Sequence, residues 1–300
     1  MQNKYRLRAN QYDRETEDEK IRPYRIYDIA VEWNATEKEY FEGLSTYREN
    51  LGIHGGIVSV EVLQRSSKDG HSAPKQVLEL LEEYISLRNN GIANELSDDD
   101  FSSIVSVYGM DFIKRYIENP NSVPIQKRNR LVTKLLTVGY DINYRRYLTI
   151  TGNNDSASEN DDVFCIMIDR DAGSHTPEEL QFCLNHCREK SYKCFIATPC
   201  FEFWLLLHLS DVKSEYADKL DILLANPKVS EHHTFVSKEV SQKAHHGKHG
   251  LHFKNVYLPH VMDAVQRAKE FAVDDEDLID HLGCNLWELI EEMQQYQNDQ

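Results

Sequence analysis

Val163-Phe164-Cys165-Ile166-Met167-Ile168-Asp169-Arg170-Asp171-Ala172-Gly173 decides the fold. Six consecutive apolar residues, rich in β-branched and aromatic types, lie between a polar stretch and a glycine, which predicts a strand buried on both faces. The strand ends in two carboxylates. Side chains alternate along an extended chain and spread where it leaves the sheet, so Asp169 and Asp171 can both point past the same strand end. That is the end at which open parallel sheets keep their ligands. Two hard oxygen ligands one residue apart suit Mg²⁺ or Mn²⁺ that is also held by phosphate oxygens and water. The competing reading is a polar turn that caps the next helix.

Further strand and helix patterns lie on either side of this stretch. Tyr24 to Glu32 predicts a strand that also ends in a carboxylate, and a helix with Phe41 and Leu44 on its inner face follows it as far as about Gly52. Ile57 to Leu63 predicts a second strand and Ser72 to Asn90 a second helix. Downstream, Thr176-Pro177-Glu178-Glu179 has the cap and first-position proline of a helix running to about Lys190. Lys193 to Thr198 is a fourth strand, and the strongly apolar helix Cys200 to Leu209 follows it directly. Four strands alternating with helices predict an α/β, Rossmann-like, mainly parallel sheet flanked by helices.

This divides the chain into a flexible arm over 1–22, a core over 23–90 and 163–271, a helical insertion over 91–162, and an acidic C-terminal helical segment over 272–300. Within the last, Leu286, Leu289, Ile290 and Met293 are spaced to face inward from one helix.

A formal net charge of −16 argues against coating duplex DNA through the general surface. Any nucleic-acid contact must be local. The segment Lys114–Arg146 is the exception, with eight Lys or Arg against two acids. Its Lys127, Arg128, Arg130, Arg145 and Arg146 are the candidate phosphate contacts, with Tyr116, Tyr140, Tyr144 and Tyr147 either stacking bases or buried beneath a solvated face. Self-association as a homo-oligomer, or docking of a protein partner, is the other use of this segment. The polar N-terminus and the lack of a long apolar run predict neither signal peptide nor membrane anchor. Six cysteines set mostly in apolar runs fit reduced thiols in a cytoplasm. Cys183 and Cys187 have the spacing of core residues more than of zinc ligands.

Three motifs now line up: Glu32 followed by Asn-Ala-Thr-Glu-Lys-Glu-Tyr-Phe (34–41), Asp169-Arg170-Asp171, and Thr-Pro-Cys-Phe-Glu-Phe-Trp-Leu-Leu-Leu-His (198–208). Together they resemble the RloB family, whose pattern runs Glu-Gly-x-x-Thr-Glu-x-x-Tyr-Phe, then Asp-x-Asp, then Asn-Pro-x-Phe-Glu-x-Trp-Leu-Leu-Leu-His. The third motif is long and specific; the others are short. Trp33 stands where the pattern has Gly, and the stretch before the second motif is longer than the pattern expects. The resemblance implies a Toprim-like core and a Mg²⁺- or Mn²⁺-dependent nuclease, with Glu32, Asp169 and Asp171 at the metal and Glu202 completing the site or serving its helix terminus. It further implies a DNA or RNA substrate, tRNA included, and work beside a partner ATPase in bacterial antiphage defence. The rival expectation is a non-catalytic, partner-binding subunit whose site Trp33 has closed.

Overall fold

The computed structural model describes residues 25–32, 35–53, 58–63, 73–90, 98–118, 162–171, 173–244 and 250–298, together with a few positions between 123 and 134. A five-stranded sheet organises them. Strands β1 (Arg25–Val31), β2 (Val58–Leu63), β3 (Val163–Asp169) and β4 (Lys193–Thr198) are parallel, and with the short β5 (Gly283–Cys284) the order across the sheet is β2-β1-β3-β4-β5. Helices α1 (Ala35–Tyr47), α2 (Pro74–Asn90), α5 (Pro177–Lys190) and α6 (Phe201–Leu209) flank the strands, and α3 (Asp98–Tyr108) and α4 (Met110–Glu118) come between α2 and β3. Four described parallel strands and their helices make the α/β, Rossmann-like architecture that the apolar runs predict.

The fifth strand departs from the expected parallel pattern. Gly283–Cys284 (β5) pairs antiparallel with Ala197 and Thr198 at the sheet edge. Two residues are too few to leave a periodic signal in sequence, and side-chain bonds hold the segment in place. Asn285 Oδ1 accepts from Ile196 N at 2.7 Å, and its Nδ2 donates to Cys194 O at 3.1 Å and to Asp275 Oδ1 at 3.0 Å. Gly283 has no room for a Cβ against Ala272 O and the Leu278 side chain. Leu286, just before the last helix, Trp287–Asn298, and that helix's Leu289, Ile290 and Met293 are buried in the same core as β1 and β3.

Alternation along the strands sorts the core into two layers. In β3, Cys165 and Met167 enter the larger cluster with α1 and α6, while Ile166 and Ile168 enter the other with α2 and α5. Continuing the period of two, Asp169 falls on the α1 and α6 side. α6 is apolar on every face, and such a helix belongs in an interior: Phe201, Phe203, Trp204, Leu205, Leu206, Leu207 and His208 are all buried. Tyr40 joins it to α1, meeting Phe41, Phe201, Trp204 and Phe253 edge-on.

The described part of the insertion has a small cluster of its own, Ile104, Phe112, Ile113, Tyr116, Val123 and Leu131. Cys183 and Cys187 are buried, and all six cysteines are free thiols. No described helix is long and apolar enough to cross a membrane.

Candidate functional site

Four carboxylates named from sequence converge on one open cleft of about 830 Å³. Glu32 follows β1 directly, Asp169 closes β3, Asp171 follows two residues on, and Glu202 sits in the first turn of α6, where a negative charge suits the helix dipole. Because β1 and β3 are neighbours, their ends meet without help from long loops: Asp169 N donates to Glu32 Oε1 at 3.3 Å. Asp171 takes a left-handed backbone, φ 24°, and its N–H donates to Pro199 O at 2.9 Å, tying the acidic turn to the start of α6.

Glu37 is a fifth acid at this place, and sequence reasoning assigned it no role. It is fully buried, and neither of its oxygens has a hydrogen-bond partner among the described residues. Burial pushes its pKa well up, helped by the charges of Asp169, Glu32 and Glu202. The signal was present in the sequence: Glu37, Tyr40, Phe41 and Leu44 stand at i, i+3, i+4 and i+7, which puts the carboxylate on the inner face of α1.

Asp169 is partly exposed as a residue, yet its Oδ1 is buried without a partner among the described residues. Burial raises its pKa well above the usual carboxylate range, and the charges of Glu32 and Glu202 add to the shift; the Phe201 backbone N–H opposes it. Burial also raises Glu32 to about 8, opposed by the Asp169 N–H and assisted by the charge of Asp171. A partnerless buried carboxylate is costly while ionised, so such acids either hold protons or share a cation.

Partnerless oxygens in an all-oxygen donor set fit a hard divalent ion. Among the described residues no three His, Cys, Asp or Glu side chains already stand at metal-ligand spacing. A preformed cage is not what Mg²⁺ needs, since it commonly keeps several waters and takes one or two carboxylates plus substrate phosphate.

Arg170, between the two aspartates, turns away from them. Its Nε donates to Ile279 O and its Nη1 to His175 O at 2.8 Å, so the buried guanidinium fastens the acidic turn to the C-terminal segment. Arg170→Ala strands two buried carbonyls and should cost about 3 kcal/mol, which urea unfolding would measure. Arg170→Lys, which can reach one carbonyl, should recover only part of the loss.

His208, the last residue of the third motif, is structural. Its Nδ1 is 2.9 Å from Trp204 O, an acceptor, so Nδ1 carries the proton and Nε2 accepts from the Tyr40 hydroxyl at 3.2 Å. Burial lowers its pKa to about 3 and keeps it neutral. The third motif therefore supplies the core that holds Glu202 in place, and Glu202 itself is its one acid.

A family model described as RloB-like protein matches residues 27–293, nearly the whole chain. The chain belongs to the RloB-like family. Comparison with curated proteins and with solved structures found no match. In this RloB-like chain none of the described residues of the insertion lines the cleft: Lys127 and Arg130 are exposed away from it, and Arg128, Arg145 and Arg146 lie outside the described residues. Tyr116 is buried, which leaves no face for base stacking. Trp33 also lies outside the described residues.

Proposed function

We propose that the chain is a metal-dependent, Toprim-type nuclease that hydrolyses phosphodiester bonds in the acidic cleft. One observation carries the reading: Glu32, Asp169, Asp171 and Glu202, from two neighbouring strand ends and a helix start, line one cleft at the C-terminal edge of a parallel sheet, where the Asp169 and Glu37 oxygens include buried ones without partners among the described residues. Asp169 and Asp171 are the residues to hold Mg²⁺ or Mn²⁺, with Glu32 beside them. When bound, such an ion offsets phosphate charge and lowers the pKa of a coordinated water. Glu37, buried behind these acids, gains most from a nearby cation, which lowers the cost of ionising it. Glu32, at the end of the neighbouring strand, either shares the ion or accepts a proton from water.

Membership of the RloB-like family supports extending this reading to antiphage defence beside an ATPase, with DNA or RNA as substrate. A rival reading is a partner-binding subunit without catalysis, and it draws on Trp33, which stands where the family pattern has Gly. Incubating the purified chain, with and without its genomic neighbour, against labelled DNA and total RNA in Mn²⁺ separates the two. Cleavage that EDTA abolishes is expected. Intact substrate in every combination would favour the rival.

A further inference from the structure

We infer that the hairpin from Asn226 to Thr234 is a phosphate-holding wall of the cleft, on which Lys228 and His233 grip a non-scissile phosphate of a nucleic-acid strand. This rests on the nuclease reading and names how that site holds its substrate.

The cleft lining carries two kinds of group: the acids Glu32, Glu39, Asp169, Asp171 and Glu202 from the sheet end and its helices, and Lys228, Glu231, His232 and His233 from the hairpin. Glu231 lies 4.0 Å from His232, so these two offset one another whenever the imidazole is charged. Lys228 and His233 are exposed, and neither side chain has an ion pair or hydrogen bond among the described residues. A nucleic-acid backbone needs such an arrangement: one phosphate over the acids with its cation, and a neighbouring phosphate on free donors in the same cleft.

The hairpin is built to keep its position. Lys228 and Thr234 form an antiparallel bridge, and His233 O accepts from Val229 N at 2.9 Å and from Ser230 N at 3.1 Å. Asn226, in a left-handed conformation, accepts from Val236 N at 3.0 Å through its Oδ1. Its Nδ2 lies 3.4 Å from the sulfur of Cys200, the residue that begins α6. The cationic wall is thus tied to the helix that carries Glu202, and the spacing between wall and acids is fixed before substrate arrives. Fixed donors lose little freedom on binding, which favours a binding role over a loose surface loop. Lysine and imidazole contacts to phosphate carry no base identity, so the wall holds any sequence.

The test is anisotropy of labelled single-stranded DNA and RNA oligonucleotides with the full chain, in Ca²⁺ to leave substrate uncut, followed by cleavage kinetics in Mn²⁺. Lys228→Ala should weaken binding on the order of tenfold. It should also make the salt dependence shallower by about 0.7 in the log–log slope. KM should rise with kcat little changed, His233→Ala should act in the same direction, and Lys228→Arg should restore most of the affinity. Melting temperatures should match wild type, because neither side chain has a partner to lose. Wild-type cleavage whose KM ignores both alanine variants overturns the wall and leaves the nuclease reading standing. Binding that Lys228→Ala weakens, without any cleavage by wild type, overturns the nuclease and keeps the wall. A wild type that binds neither oligonucleotide overturns both.

Discussion

Asp169→Asn is expected to abolish the proposed metal-dependent cleavage and at the same time to raise the melting temperature of the metal-free chain. The amide keeps the size of the carboxylate but cannot supply a second anionic oxygen, and the cleavage rate should fall ~10³-fold or more. The gain in stability has the same origin. Asp169 Oδ1 is buried without a partner among the described residues, and the carboxylates of Glu32 and Glu202 add to the cost of ionising it. Removing one charge from this group relieves repulsion and a desolvation cost, and a rise on the order of 5 °C at pH 8 is expected by differential scanning calorimetry. A variant that loses activity because it misfolds would melt lower. Loss of cleavage together with higher stability therefore separates a functional acid from a structural one.

The second large effect concerns pH. Glu32, Glu37 and Asp169 have folded-state pKa values above those of the unfolded chain. For such acids the native state holds protons that the unfolded chain has already released, so stability falls as pH rises. Their full contribution is present below about pH 4.5 and is lost as pH climbs through the raised values. For Glu32 that window runs from 4.5 to about 8. A shift of this size is worth at most ~5 kcal/mol, or a drop on the order of 10 °C in melting temperature across the window. Millimolar Mn²⁺ should reverse most of the loss at pH 8, by binding the ionised native site and not the unfolded chain. At pH 5, where protons already occupy the acids, the ion should add little. Melting curves at pH 5 and pH 8, with and without Mn²⁺, give all four values. A pH-independent melting temperature would mean that the acids are neutralised by other means.

How far the site was legible in sequence depended on how local its causes are. β3 announced itself because six apolar residues in a row leave few alternatives, and its terminal carboxylates followed from strand alternation. α6 was equally plain, since a helix apolar on every side must be interior and its one acid must find an exit. Glu37 was missed although its spacing was visible, because a glutamate in a first helical turn is ordinarily read as a dipole partner. Its burial depends on α6 and β3 closing over it. β5 and the Arg170 contacts depend on chain segments about 90 to 110 residues away, as in the Asn285 to Ile196 and Arg170 to Ile279 bonds, and no local pattern encodes them. The cleft-lining hairpin is similar: Lys228 and His233 are ordinary surface residues in sequence, and only the fold brings them into one cleft with the acids. The positive surface expected of the insertion falls mostly on residues outside the described ones, Arg128, Arg145 and Arg146 among them.

The central claim is that the acids at the ends of β1 and β3 form a divalent-metal site. Titrating Mn²⁺ into wild-type and Asp169→Asn protein at pH 8 by isothermal calorimetry tests it without knowledge of the substrate. Saturable binding by wild type that the variant weakens by at least ~100-fold is the predicted result. No heat of binding and no thermal stabilisation of wild type at millimolar Mn²⁺ would contradict it.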